Sequence, residues 1–306
     1  MIYDLIIIGA GPAGLTASIY ASRYGLKHLI IGIAQGGTAA EAYRVENYPG
    51  CPSITGNELM EKFLSQAKEY QVEITNAEVM RIEKSKNIFK IKTNLNKDIE
   101  TKTIILALGM HHRTLSVPGE KEFFGRGVTY CPTCDGPLFK NKVVAVVGGG
   151  DSALTSSLFL SKIAKKVYLI HCKKSFDGQI AWQKKVNQEK NIVKILNRQV
   201  REIRGQRFVD HLVLDKPYKN KKVLGVDGLF VEIGSLPAGQ KIIFDPALKR
   251  DRSGYVVVDG FLKTSIPGLF AAGDITAPPD KLRQIITAAA EGAIAAKGVQ
   301  NFLAKN

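Results

Sequence analysis

Cysteine is scarce in this chain, four in 306 residues, so a secreted domain stapled by many disulfides is excluded. An uninterrupted apolar run of the ~18 residues that a membrane helix needs is missing too. The first residues, Met1-Ile2-Tyr3-Asp4, bring an acid and no basic region, so no secretory signal is expected and the expected compartment is the cytoplasm. Also missing are low-complexity tracts, short repeats, and basic stretches interleaved with aromatics. The net charge of +15 therefore does not imply nucleic-acid binding. It is spread over isolated lysines and short clusters such as Lys219, Lys221 and Lys222, which read as solvated faces able to attract an acidic partner protein. With 45% hydrophobic residues, the length suits two ordinary domains with cores of their own.

Two of the four cysteines carry the most information. Cys131-Pro132-Thr133-Cys134-Asp135 lies just before a βαβ pattern, where a CxxC reads as a redox dithiol rather than a metal site. Asp135 puts a carboxyl directly behind the pair, where it can give and take protons. Cys51 and Cys172 have no near partner and read as ordinary free thiols.

Two glycine loops, about 140 residues apart, flank that motif. The apolar run 4–8 leads into Gly9-Ala10-Gly11-Pro12-Ala13-Gly14 and then a helical pattern from Leu15. Gly9 allows the tight turn, Gly11 lets a pyrophosphate approach the backbone, and Gly14 permits close helix–strand packing. The phosphates would sit on the helix N-terminus. The second copy runs from 143–147 through Gly148-Gly149-Gly150-Asp151-Ser152-Ala153 into a helix over 154–163, with Ala153 at the third small position. One such loop is weak evidence, whereas two in strand–turn–helix order point to two dinucleotide sites.

Further strands end in small-residue turns at Gly109 and at Ala271-Ala272-Gly273-Asp274, and a helix is expected over 282–303. Asp274, at a strand end beside a helix N-terminus, suits hydrogen bonding to a polyol chain, which describes a flavin site built from both ends of the chain. The fold expected is α/β: two Rossmann-like dinucleotide-binding domains of the three-layer ββα kind, the second inserted into the first. The boundaries read as 1–114 and 247–306 for the FAD-binding domain, and 115–246 for the inserted NAD(P)-binding domain that carries the CxxC.

Taken together, the first loop, Val45-Glu46-Asn47-Tyr48-Pro49-Gly50, Gly125-Arg126-Gly127-Val128, the Cys-x-x-Cys-Asp-Gly motif, the second loop, the Ala-Ala-Gly-Asp turn and Arg283-Gln284-Ile285 make the chain resemble low-molecular-weight thioredoxin reductases over essentially its whole length. The resemblance implies bound FAD, a nicotinamide donor (NADPH, with NADH admitted), a homodimer, and reduction of a thioredoxin or glutaredoxin-like protein. It assigns FAD to Gly9, Gly11, Pro12, Ala13, Gly14, Asn47, Gly109, Asp274, Arg283, Gln284 and Ile285. The nicotinamide dinucleotide falls to Gly148, Gly150, Asp151, Ser152 and Ala153, with His171, Lys173 and Lys174 near its adenosine end. Cys134 takes the flavin side, Cys131 the partner side, and Asp135 the acid–base role. Donor loop and dithiol both lie on the inserted domain, yet each must meet one flavin ring, so that domain is expected to move.

The departures bear on donor and partner. Where relatives have His-Arg-Arg-x-x-x-Arg, this chain has His171-Cys172-Lys173-Lys174-Ser175-Phe176-Asp177. Lysines can meet a 2′-phosphate only as point charges and Asp177, in place of the third arginine, repels it, while no carboxylate ends the strand over 167–170, so only a weak preference for NADPH is expected. A ferredoxin-type donor and a small-molecule dithiol oxidase on the same scaffold remain the alternatives. Thr38, Leu108 and Gly239 replace residues common around the flavin, and Pro137-Leu138 stands where an aromatic pair is frequent. Arg126 is kept as a docking charge for the partner. His111, His112 and Trp182 read as structural.

Overall fold

The computed structural model describes residues 2–33, 35–42, 45–95, 98–278 and 280–305. The chain forms two compact units, one of residues 1–111 with 236–306 and one of residues 112–235.

The first unit opens with β1 (Ile2–Ile8), α1 (Pro12–Arg23) and β2 (His28–Ile31), followed by α2 (Gly56–Glu69), β3 (Glu73–Thr75), β4 (Val79–Ser85), β5 (Ile88–Thr93) and β6 (Asp98–Leu106). β1 is apolar on both faces from Leu5 onward because both are covered, Leu5 and Ile7 packing in one core and Ile6 and Ile8 in the other, while in the sheet Ile6 stands opposite Leu29 on β2 and Ile104 on β6. α1 begins at Pro12, directly on the glycine loop, since proline needs no N–H partner in a first turn. α2 starts on a capping box in which Thr55 and Glu58 exchange hydrogen bonds.

The chain then reaches β7 (Met110–His112), and the second unit follows: β8 (Val128–Thr129), α3 (Pro132–Asp135), β9 (Val143–Val147), α4 (Asp151–Ser161), β10 (Lys166–His171), α5 (Ile180–Gln188), β11 (Ile192–Leu196), β12 (Val200–Gly205), β13 (Val209–Tyr218), β14 (Lys221–Gly225) and β15 (Gly228–Val231). Five parallel strands run in the order β11-β10-β9-β15-β8. Alternation along β9 feeds two cores: Val144 and Val146 pack with Ala153, Leu154 and Leu160 of α4, while Ala145 and Val147 pack with Val200, Ile203 and Leu212 of the antiparallel β12-β13-β14 layer. This is the three-layer ββα arrangement expected from the sequence. The lysine-rich stretch around Pro217 is a hairpin, with Lys219 and Asn220 both at positive φ (48° and 63°) as a two-residue loop requires.

β16 (Ser235–Pro237) leads back to the first unit, which closes with β17 (Ile243–Asp245), β18 (Leu269–Ala271) and α6 (Ile285–Leu303). The C-terminal half of β6 pairs with β18 and its N-terminal half with β5. α6 lies against α1 so closely that a Cβ on Gly292 would come within 2.1 Å of the Ala13 carbonyl oxygen.

Three boundaries differ from the sequence-based expectation. α4 starts at Asp151 rather than 154, because its N-cap is Gly150 of the loop itself. α6 starts at Ile285 rather than 282, because Gln284 and Thr287 form a capping box there. Residues 236–246 fall with the first unit, β17 pairing in parallel with β4.

Candidate active site

The dithiol sits at a helix start in the second unit. Cys131 and Cys134 are joined, S–S 2.04 Å, with Cys131 as the N-cap of α3 and its Sγ accepting from the Cys134 amide at 3.2 Å. Cys134 is exposed and Cys131 half-buried. One residue that sequence reading passed over organises the motif. Thr129, 5% exposed at the end of β8, accepts from the Cys131 amide at 3.1 Å and donates through the same hydroxyl to Asp135 Oδ2 in a short bond. The acid and the first cysteine are thereby held by one side chain. Gly136 follows because a Cβ there would lie 2.8 Å from the Phe159 ring.

Just upstream, buried Glu120 accepts from the amides of Leu115 and Ser116 and from the Tyr130 hydroxyl, each at 2.7 Å. Burial, then the Glu120 bond, pushes the Tyr130 phenol far above its ordinary range. His112 stacks on Tyr130 at 5.7 Å. Trp182 packs in the α4 core with Lys185 4.3 Å over its ring.

The first glycine loop has the geometry of a phosphate cradle. Gly9 takes φ +115°, and a Cβ there would stand 2.2 Å from the Ala107 carbonyl oxygen; one on Gly14 would stand 1.9 Å from that of Gly9. Over Gly11 the nearest atoms to such a Cβ are 3.8 Å away, and no side chain caps α1, which leaves its first-turn N–H groups open to an anion. Pro12, Ala13 and Gly109 border the same loop region in sequence and sheet, Gly109 following β6. Around α6, Asn47 Nδ2 donates to Gln284 Oε1 at 2.8 Å, and Ile285 opens the helix. Arg283 does not point its fork outward as a free cation: it donates to the carbonyls of Asp274, Thr276 and Pro278 at 3.0–3.1 Å and lies 4.2 Å over the Tyr255 ring.

Asp274 presents a largely buried carboxylate that could accept from a ligand. Among the described residues none donates to its carboxylate, and burial pushes its carboxyl above the usual range against the pull of Lys281 and Arg283, with Glu291 adding to the rise. The turn that presents it hangs on an ion pair missed from sequence. Lys281 Nζ reaches both Glu291 oxygens at 2.7 and 2.9 Å and the Gly273 carbonyl at 2.8 Å, while Glu291 accepts from the Gly273 amide at 2.8 Å. Glu291 is the one acid of α6, and that isolation among alanines was the available signal. Two departures from the flavin-site pattern adjoin each other, since a Cβ on Gly239 would lie 2.5 Å from Leu108 Cδ1.

The second loop repeats the cradle. A Cβ on Gly148 would meet the Glu232 carbonyl oxygen at 2.1 Å, the space over Gly150 is open, and no side chain caps α4. Ala153 is buried beneath. Asp151 accepts from the Gln179 amide and its Nε2, at 2.6 and 2.8 Å, and Ser152 lies in the first turn. His171 ends β10 with its ring against Gly149, where a Cβ would come within 2.2 Å of it, and burial lowers the affinity of its imidazole for a proton. Lys173 bonds both oxygens of Asp177, at 2.8 and 3.0 Å, whereas Lys174 is exposed outside this clasp. Both cradles fit a dinucleotide: open helix N-termini, free space over Gly11 and Gly150, and no room for a side chain at Gly9, Gly14 or Gly148. Among the described residues no cluster suits a metal ion, and no helix is long and apolar enough to cross a membrane.

The sequence model of the pyridine nucleotide-disulphide oxidoreductases matches residues 3–292. The chain belongs to that family. It is 38% identical to the thioredoxin reductase of Listeria innocua over 99% of this chain and 94% of the relative. Against the thioredoxin reductase of Treponema pallidum the identity is 39%, covering 98% of this chain and 97% of the other. The crystal structure of Lactococcus lactis thioredoxin reductase superposes with a TM-score of 0.92 at 34% identity, covering 99% of this chain and 100% of that one. The resemblance expected from the motifs therefore extends over the full family member.

Proposed function

We propose that this chain is an FAD-dependent thioredoxin-disulfide reductase that draws electrons from a reduced nicotinamide dinucleotide, NADPH or NADH. The observation that carries the reading is the Cys131–Cys134 disulfide, with Asp135 tied to it through Thr129, on a chain that also holds two open dinucleotide cradles. FAD, when bound, would take an electron pair from the nicotinamide and pass it to the disulfide. Its pyrophosphate belongs over Gly11 and the start of α1, with Asp274, Asn47 and Gln284 on its polar parts and Gly9, Pro12, Ala13, Gly14, Gly109, Arg283 and Ile285 shaping the walls. The donor belongs at Gly148, Gly150, Asp151, Ser152 and Ala153.

Reduction of the Cys131–Cys134 bond takes two electrons and yields two sulfurs that need protons or a partner. Asp135 supplies and recovers a proton; Cys134 would be the sulfur that receives the electron pair, and Cys131 attacks the disulfide of a thioredoxin or glutaredoxin-like protein, giving a mixed disulfide that Cys134 resolves. Exposed Leu138 and Arg126, on the dithiol's own unit, serve docking. The working form is a homodimer.

Purified protein should be yellow with one FAD per chain, bleach anaerobically on addition of NADPH or NADH, and then reduce a thioredoxin. Colourless protein that takes up no FAD sinks the proposal. A flavin bleached by reduced ferredoxin and by neither nucleotide transfers the reading to a ferredoxin-driven reductase on the same scaffold.

A further inference from the structure

β10 ends at His171, and Rossmann-type sites that bind NAD place a carboxylate at the end of this second strand to accept from the ribose hydroxyls. The strand itself carries none. The chain supplies one from six residues further on: after His171 it folds back so that the Asp177 and Gly178 amides donate to the Gly149 carbonyl at 2.8 and 3.0 Å. That returns the Asp177 carboxylate to the strand end, 3.7 Å from His171 Nε2 and beside the glycine loop. Lys173 holds it there through two hydrogen bonds. The His171 ring packs under Gly149 and stacks on Phe176 at 5.8 Å, so the fold-back is anchored from below.

We infer that Asp177 is the ribose-hydroxyl acceptor of the donor site and selects NADH over NADPH, with Lys173 as the residue that positions it. This rests on reading the second glycine loop as the nicotinamide-donor site. Each carboxylate oxygen bonded to Lys173 keeps a lone pair for a ribose 2′- or 3′-hydroxyl. A 2′-phosphate at the same place would bring nearly two negative charges against that carboxylate. Lys173 does not offset the repulsion, because its ammonium is already engaged by Asp177, whereas an arginine fork would have met the phosphate bidentately. The weak NADPH preference expected from sequence, where Asp177 counted only as a repulsive charge beside two lysines, thus turns toward NADH once its carboxylate stands at the strand end and engages Lys173.

The test is calorimetric titration of the whole FAD-loaded protein with NAD⁺ and with NADP⁺, which reads binding without turnover. NAD⁺ should bind more tightly by about tenfold or more, as expected of a like-charge clash against the phosphate. Asp177→Asn should shrink the ratio and Asp177→Arg should reverse it, with FAD content unchanged in both. Tighter binding of NADP⁺ by the unsubstituted protein, or an unchanged ratio in Asp177→Asn, overturns the inference while leaving a nicotinamide donor in place. Binding of neither nucleotide overturns the inference together with the donor reading beneath it.

Discussion

Thr129 does two jobs with one hydroxyl, accepting from the Cys131 amide and donating to Asp135. Valine has the same shape and neither bond, so Thr129→Val leaves a backbone amide without its acceptor, a loss of about 1–3 kcal/mol. Thiol–disulfide turnover should fall by about tenfold or more, and Thr129→Ser, which keeps the hydroxyl, should restore it. Steady-state rates read beside melting temperature and bound FAD distinguish this from mere loss of fold, which would lower all three. Cys131→Ser and Cys134→Ser should each abolish protein-disulfide turnover while keeping FAD, and wild-type rates in either would make the CxxC structural. Asp274 makes the opposite kind of prediction. Its carboxyl binds a proton more tightly in the folded chain than in the unfolded one, so its contribution to stability is greatest below the unfolded value of about 3.9 and is lost as pH rises toward the raised folded value. At neutral pH the cofactor-free protein therefore carries a destabilising carboxylate. Asp274→Asn should melt higher than the unsubstituted cofactor-free protein at pH 7, the gap closing near pH 4, yet retain FAD less well. Thermal melting and flavin absorbance check the two halves separately.

At the level of elements, the start of α6 and the turn after β18 depend on one nearly buried ion pair, Lys281 at 14% and Glu291 at 20% side-chain exposure. Removing one partner strands the other, at a cost of about 3 kcal/mol. Lys281→Met should lower the melting temperature and loosen FAD, because Asp274 then faces Glu291 without the intervening cation. Lys281→Met combined with Glu291→Leu should recover stability but not flavin retention, since the Gly273 amide still lacks its acceptor; melting curves and bound-flavin ratios of the single and double variants decide it. The glycine loops, the strands that feed them and the helices that leave them were legible in the sequence because their residue types are forced by backbone approach: no side chain fits at Gly9, Gly14 or Gly148. What sequence could not give is contact between residues far apart in the chain or turned back on it. Lys281 meets Glu291 only because α6 brings its second turn beside the Ala-Gly-Asp turn. Asp177 looked like the loss of an arginine, and it reads as a strand-end carboxylate only after the fold-back onto Gly149 is seen. Helix starts shifted for a similarly local reason, the Gly150 cap lying ahead of the apolar pattern that marked α4 and the Gln284 cap falling within the segment expected for α6.

Over the whole molecule the charge is uneven in a way that composition conceals. The unit of residues 112–235 has 22 lysines and arginines against 11 acids, and so carries +11 of the chain's +15. That unit bears the dithiol. Exposed lysines such as Lys140, Lys142, Lys184, Lys185, Lys219, Lys221 and Lys222 all lie on it. A potential of one sign around the reacting disulfide would steer an acidic thioredoxin-like protein toward it and raise the encounter rate, without adding contacts at the site. Screening removes such steering, the Debye length falling from about 10 Å at 0.1 M salt to about 3 Å at 1 M. The kcat/KM for an acidic protein disulfide should therefore drop by about tenfold or more over that range, largely through the association step. Reduction of a small uncharged aromatic disulfide should change little over the same salt series, because it has no charge to steer. Flavin reduction by the nicotinamide donor, followed in parallel, shows whether salt acts on the donor instead. A protein-disulfide rate that ignores salt would mean that the +11 on this unit is a solvated surface with no part in recognising the partner.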